Sequence, residues 1–342
     1  MIGPALRELT LARIREFVRQ PEALFWVFGF PVLMALGLGL AFRERGPEPI
    51  PIGVTGPSAE VWEKQLSASP GLLVRVFSAE EAENAIDTGR ISLLVRGDEE
   101  PEFVFDPTRP DARVAGLEAD AALQQAAGRV DPVPIRRVAR EQAGGRYIDF
   151  LIPGLLGMNL MGTGMWGVGF SIATARMQKL LKRLVATPMR KSSYLLSHVL
   201  SRLIFLVLEV VVLVGFAWWV FDVGIRGSIA TFSLIALLGA LSFSALGLLT
   251  ASRTQTIEGV SGLMNLIMLP MWILSGVFFS TERFPDAIQP LIQALPLTAL
   301  NDALRAVMNQ GLPIEAILGE LGILLAWGTI SFAVALRIFR WR

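Results

Sequence analysis

Residues 23–42 read ALFWVFGFPVLMALGLGLAF, twenty consecutive positions without a charge. A bilayer core about 30 Å thick needs roughly 20 apolar residues of helix, so this stretch is long enough to cross one. It is too long for the apolar core of a signal peptide. RERGPEP follows it at 43–49, where a cleavage site would need small residues. The segment is therefore expected to stay as an anchor. Working outward, five more runs have the same character: Ile148–Thr174, Val199–Phe221, Ile229–Ala251, Gly259–Ser280 and Ala316–Leu336. With 53% hydrophobic residues and a mean hydropathy of +0.53, the 342-residue chain is more apolar than soluble domains of its size. The expected fold class is an α-helical polytopic membrane protein with six transmembrane helices and a small extracytoplasmic α/β domain.

Six spans place both termini on one side, and the distribution of Lys and Arg says which. Arg7, Arg13, Arg15 and Arg19 precede the first span, and six basic residues lie in 176–191. Arg253 separates spans four and five, and Arg337, Arg340 and Arg342 close the chain. The short loops on the opposite side, 222–228 and 281–315, hold only Arg226, Arg283 and Arg305. Both termini are expected to be cytoplasmic, with 337–342 a short tail and the membrane the bacterial inner (cytoplasmic) one; the low share of Lys among the basic residues fits a GC-rich bacterial genome.

The segment 43–147, between the first span (23–42) and the second (148–174), is too long for a loop. IPIGVT, LLVRVF, ISLLVRG and EFVFD read as short strands. Between them lie two helical stretches, one opened by Ser58 and one carrying a capping box at Ser78 and Glu81 with Gly89 past its end. Strands alternating with helices predict an α/β domain, closed by a helix over 111–128. At the start of the chain, 1–22, Leu6, Leu9, Ile14, Phe17 and Val18 share one helical face opposite Glu8, Arg15, Glu16 and Arg19. An amphipathic interfacial helix is expected there, broken by Pro21. Residues 281–315 are apolar but interrupted by Pro285, Pro290 and Pro296, which predicts short re-entrant helices.

Several chemistries are excluded. A net charge of +1 gives no field for nucleic acid. With no cysteine and one histidine, thiol catalysis and Cys- or His-built metal sites have no ligands. GxxxxGK[ST], HExxH, GxSxG and DxDxDG patterns are missing. No catalytic, cofactor-binding or metal-ligating residue is expected in this chain.

Residues 175–198, between the second and third spans, contain RMQKLLKRLVATPMRK (176–191), with six basic side chains and no acid. Met177, Leu180, Leu181, Leu184 and Val185 follow i, i+3, i+4, i+7, i+8, one apolar helical face, with Lys179, Lys182 and Arg183 on the other. Thr187-Pro188 ends the pattern. Such a helix suits either an anionic lipid surface or a cytoplasmic protein.

Here the chain resembles the membrane subunit of type-2 ATP-binding-cassette (ABC) transporters. Members carry a phrase like "RLLATP" after span two, matched by 182–188. At the end of span five they carry "LPxxxLSGxFFP" and then "LPLTxxxDALR", matched by LPMWILSGVFFSTERFP (269–285) and LPLTALNDALR (295–305). The family's "REGT" is replaced at Met177, Lys179 and Leu180, and Ser280 stands where many members have Pro. The resemblance implies two permeases, identical or paralogous, forming a pathway driven by two ABC ATPase subunits, so that ATP is bound by the partner and not by this chain. It makes the basic helix the ATPase-coupling element, with Met177, Leu180, Leu181, Lys182, Arg183, Leu184, Thr187 and Pro188 at the contact. It also implies export of a drug-like, lipid or other hydrophobic substrate. A membrane sensor with an extracytoplasmic ligand-binding domain is the alternative, though it should carry a larger cytoplasmic output region.

Within the spans, Glu209 lies about 15 Å into the third at helical rise, where an acid should face protein or water and not lipid. Arg202, seven residues earlier on the same helical face, lies nearer the cytoplasmic boundary, where it can snorkel. Glu209, Asn159 and Asn265 are the candidates for a translocation route, with a hydrogen bond to another span as the competing role for Glu209. Thr163, Gly167, Ser171 and Ala175 recur every fourth residue and permit close helix packing, against another span or a second copy.

Overall fold

The computed structural model describes residues 4–42, 49–97, 100–130, 144–179, 191–254 and 256–338. They form two compact units, Glu44–Arg140 and the remainder of the chain.

In the smaller unit, β1 (Ile50–Thr55), α3 (Ala59–Leu66), β2 (Leu72–Val76), α4 (Ala79–Asp87), β3 (Leu93–Arg96), β4 (Glu102–Val104) and α5 (Pro110–Ala126) follow in order. The sheet order is β2-β1-β3-β4, parallel except for β4. The chain moves one way from β1 to β2 and back across β1 to β3. Keeping both crossovers right-handed therefore puts their helices on opposite faces. The packing agrees. Ile52, Val54 and Leu93 bury against Ala59 and Leu66 of α3 and Ala115 and Ala119 of α5. Leu94 and Ile91 bury against Ala82 and Ala85 of α4. At the start of α4 the Glu81 N–H donates to Ser78 Oγ at 3.4 Å and the Ser78 N–H to Glu81 Oε2 at 3.2 Å, the reciprocal box the sequence predicts. Gly89, at φ +70°, follows α4.

The larger unit is helical: α1 (Pro4–Val18), α2 (Pro21–Ala41), α6 (Tyr147–Met177), α7 (Lys191–Phe221), α8 (Ile229–Ala251), α9 (Ile257–Leu274), short α10 (Gln289–Gln293), α11 (Pro296–Met308) and α12 (Leu318–Ile338). Six of these are long and apolar enough to cross a membrane, the last counted with the turn that begins at Ile314. α6 and α8 are the most deeply enclosed. They approach closely because Gly164, Gly169 and Gly247 lack side chains. A methyl group at Gly247 would come within 2.8 Å of the Met165 backbone. α11 lies against α6, α8 and α12, burying Leu297, Leu300, Ala303, Leu304 and Val307. α1 does more than lie on a surface, because Phe17 packs on Phe205 of α7 with ring centroids 4.3 Å apart.

α2 contains one π-turn, Phe25–Gly29, in which the Phe30 N–H reaches back to the Phe25 carbonyl. Two residues on, Pro31 has no N–H to give to the Val27 carbonyl.

Candidate functional site

At the end of the bundle where α6 finishes, Met177 is its last helical residue and is half exposed. The other seven residues expected at an ATPase contact, Leu180, Leu181, Lys182, Arg183, Leu184, Thr187 and Pro188, lie outside the described residues. Lys179 ends the turn in the left-handed region, φ +55°, a conformation glycine adopts without strain. This position corresponds to the Gly of the family's "REGT" phrase, so the glycine has a backbone reason that Lys179 meets at some cost.

One residue before Met177, Arg176 reaches across to α8. Its Nη1 donates to the carbonyls of Ala251, at 2.9 Å, and Thr254, and its Nη2 to the Ser252 carbonyl at 3.2 Å. The last carbonyls of a helix have no partner within it and carry the negative end of its dipole, so a guanidinium is well suited to collect them. On the other flank of the basic segment, Arg13 Nε of α1 donates to Ser197 Oγ of α7 at 3.2 Å.

Midway along the bundle, Glu209 is 2% exposed. Its Oε1 accepts from Arg202 Nη1 at 2.7 Å and its Oε2 from Thr163 Oγ1 of α6 at 3.1 Å. Arg202 also turns Nη2 toward the Leu160 carbonyl at 3.4 Å. Arg202 therefore does not snorkel. Seven residues put it two turns from Glu209 on one face of α7, and a buried partner holds it more firmly than a boundary nearby. Asn159 points its Nδ2 at the Val27 carbonyl of α2, 3.2 Å away, the acceptor that Pro31 cannot serve. Asn265 lies on the exposed face of α9 beside Leu266 and Leu269. Four residues after Leu266 comes Pro270, so the Leu266 carbonyl too is left without its helical donor.

The small-residue ladder splits. Thr163 is engaged with Glu209, and Ser171 Oγ donates to the Val168 carbonyl at 2.9 Å. Gly167 is exposed, and a methyl group there would meet nothing within 4 Å. Contact with other spans of this chain is thus made by Thr163, toward Glu209 of α7, and by Gly164 and Gly169, toward α8 and α9, but not by Gly167.

At the end where α6 begins, Pro153 interrupts the helix and cannot donate to the Asp149 carbonyl. Asn309 Nδ2, at the end of α11, supplies that bond at 2.8 Å. Arg305 of α11 sits over the Phe150 ring, 3.8 Å from its centroid. It donates to the Phe150 carbonyl at 3.4 Å and to the Gly276 carbonyl. Asn301 Nδ2 donates to the Ser275 carbonyl at 2.8 Å. The two phrases at 269–285 and 295–305 are therefore joined in space. The segment 275–280 turns at Gly276, φ +68°, and the Asn and Arg of α11 collect its carbonyls. Sequence reasoning missed Arg176, Asn309 and the joining of Asn301 to Ser275. For Asn309 the available signal was Pro153, which marks the carbonyl four residues back as needing a donor but not which one comes; Arg176 and Asn301 serve carbonyls at helix ends that no proline marks.

The description "ABC-2 family transporter protein" belongs to a family model that matches residues 21–337. The linearmycin resistance permease protein LnrN of Bacillus subtilis is 26% identical over 176 residues, 52% of this chain and 46% of that protein. The probable multidrug ABC transporter permease YbhR of Escherichia coli is 23% identical over 194 residues, 57% of this chain and 53% of that one. The inner membrane transport permease YhhJ of the same species is 25% identical over 173 residues, 50% and 46%. The chain spans about half the length of the curated relatives it matches. A match across nearly all of the chain, over a bundle with six helices long and apolar enough to cross a membrane and with α11 tied to the end of α9, places it: the chain belongs to the ABC-2 family of transporter proteins.

Proposed function

We propose that this chain is the permease subunit of an ABC exporter for a drug-like, lipid or other hydrophobic compound, driven by ATP that a separate ATPase subunit binds and hydrolyses. The observation that carries the reading is the basic, half-apolar segment 176–191 between two anchored helix pairs, α6 with α8 on one flank and α7 with α1 on the other. A partner pushing on that segment acts on both pairs. The relatives named for linearmycin resistance and multidrug transport support a drug-like cargo. Both termini and the basic segment are cytoplasmic in this reading, and the α/β unit is outside.

Two permeases, identical or paralogous, enclose the route. Exposed Gly167 on α6 and the exposed face of α9 support this. Asn265 and the Leu266 carbonyl are mid-span polar groups that hydrocarbon would leave unsatisfied, so that face meets a second permease or the cargo. Of the three route candidates, Asn265 is the best supported. Glu209 and Asn159 are both engaged within the chain, which favours a role in holding spans together.

The test is co-expression with a candidate ABC ATPase, co-purification, and ATPase assay in lipid. The permease should stimulate hydrolysis, and Leu181→Asp or Leu184→Asp should abolish that stimulation while the chain still inserts. Unchanged stimulation in the purified variants would show that the segment rests on lipid instead.

A further inference from the structure

Resting on that reading, we infer that Arg176 is a positioning residue of the transport cycle: it fastens the end of α8 to the end of α6, so that a displacement delivered at the basic segment moves both helices as one body. Arg176 is the first of the six cations in that segment by sequence, yet its guanidinium is used inside the bundle. It bonds three carbonyls, those of Ala251, Ser252 and Thr254. Those carbonyls lie at the end of α8 and in the turn before α9 begins at Ile257. Arg suits this task better than Lys, because its planar fork meets several acceptors in one geometry while an ammonium is a point charge on a flexible stem.

Elsewhere the two helices meet closely at glycines. Gly164 lies against Phe243 and Ser244, and Gly247 against the Met165 backbone. Smooth surfaces of this kind pack closely but offer little resistance to sliding along the axis. The described residues place Arg176 as the directional tie across the end of this seam nearest the segment. Residue 177 and those beyond it lead directly into the proposed coupling helix, so the tie sits where an applied force would first tend to separate α6 from α8. Arg13 and Ser197 make the corresponding tie between α1 and α7.

The chain has no natural cysteine, so spin labels can be placed at Gln178→Cys with Arg253→Cys, both exposed positions flanking the tie. A second pair, Gln178→Cys with Arg19→Cys, spans α6 and the end of α1. Distances are measured in the permease–ATPase complex in lipid nanodiscs, without nucleotide and with AMP-PNP. With Arg176 intact, the 178–253 distance should stay single and unchanged by nucleotide, while the 178–19 distance shifts. Arg176→Gln should make the 178–253 distance nucleotide-dependent and bring ATPase stimulation down toward the unstimulated level. Arg176→Lys should recover part of both, and it serves as the test variant if Arg176→Gln gives no complex.

A merely structural role would lower the yield of complex without changing how nucleotide moves the labels in what assembles. That result overturns the inference. So does a 178–253 distance that shifts with nucleotide while Arg176 is intact, or a 178–19 distance that does not. If no ATPase associates with the chain at all, the proposed function itself fails and the inference falls with it.

Discussion

The two units of this chain treat polar groups in opposite ways. In the α/β unit, ion pairs are close in sequence and open to water. Arg96 meets Glu102 at 2.8 Å and Glu83 at 3.3 Å, with every partner's side chain more than 40% exposed. Arg109 meets Asp111 two residues on. Arg109, and after it Ser92, hold the Asp111 carboxyl down at a pKa of about 2. In the helical bundle, the recurring polar contact is a buried Asn or a half-buried Arg donating to a main-chain carbonyl that its own helix has released. Asn309 serves Asp149, Asn159 serves Val27, Asn301 serves Ser275 and Arg176 serves the end of α8. Where water is at hand, a released carbonyl needs no protein partner. In hydrocarbon it must find one, because each unsatisfied group is costly there. These Asn and Arg side chains are thus used to repair the backbone, and among the described residues Arg202–Glu209, an ion pair with both side chains buried, is the exception.

That exception gives the largest expected effect. Replacing Glu209 by Leu leaves Arg202 buried without its counter-charge and should cost about 3–5 kcal/mol of bundle stability. The double variant Arg202→Met, Glu209→Leu should recover most of the loss. Unfolding in mixed micelles measures both, and additive losses would show that the two residues are not acting as a pair.

A sharper test of backbone repair is the cycle between Asn309→Ala and Pro153→Ala. Asn309→Ala alone strands the Asp149 carbonyl and should cost about 1–3 kcal/mol. With Pro153→Ala present, residue 153 regains an N–H that can take the same carbonyl, so Asn309→Ala should cost less, with a coupling on the order of 1 kcal/mol. Equal costs in the two backgrounds would mean that Asn309 does something other than replace the missing helical bond.

The smallest effect belongs to the other unit. Arg96→Ala removes an exposed pair and should leave stability nearly unchanged, because solvent screens such pairs, read by hydrogen exchange across Ile50–Thr55 in the full chain. A larger loss would erase the contrast between the two units.

The sequence made some of this legible because the governing rules are local. A run of twenty uncharged residues identifies a span without knowledge of its neighbours, and Ser78 with Glu81 sets a helix start within four residues. The parallel strands were readable from apolar runs alternating with helical stretches. What stayed hidden depends on residues distant in sequence. Pro153 announces a stranded carbonyl, but Asn309 lies 156 positions later and nothing in its surroundings marks it as the donor. Arg202 was expected at the membrane boundary because its own helix offers that exit. Its observed turn toward Glu209 depends on α6 closing the space around them with Thr163 and Leu160. The family phrases at 269–285 and 295–305 were recognisable, yet their joining through Asn301 and Arg305 needed three dimensions.

The π-turn at Phe25–Gly29 bears on how this chain can change over generations. A turn closed by five residues instead of four holds one residue more than an α-helix needs, and each residue rotates a helix by about 100°. Substituting among apolar side chains there alters little, since the stretch asks only to be greasy. Deleting a single residue inside the turn would let it close to ordinary pitch with both flanks keeping their faces, so Phe17 stays on Phe205 and Arg13 on Ser197. Deleting one in the regular helix that follows would instead rotate everything before it by about 100°. For this stretch, inheritance should be permissive about spelling and, at this one turn, about letter count as well.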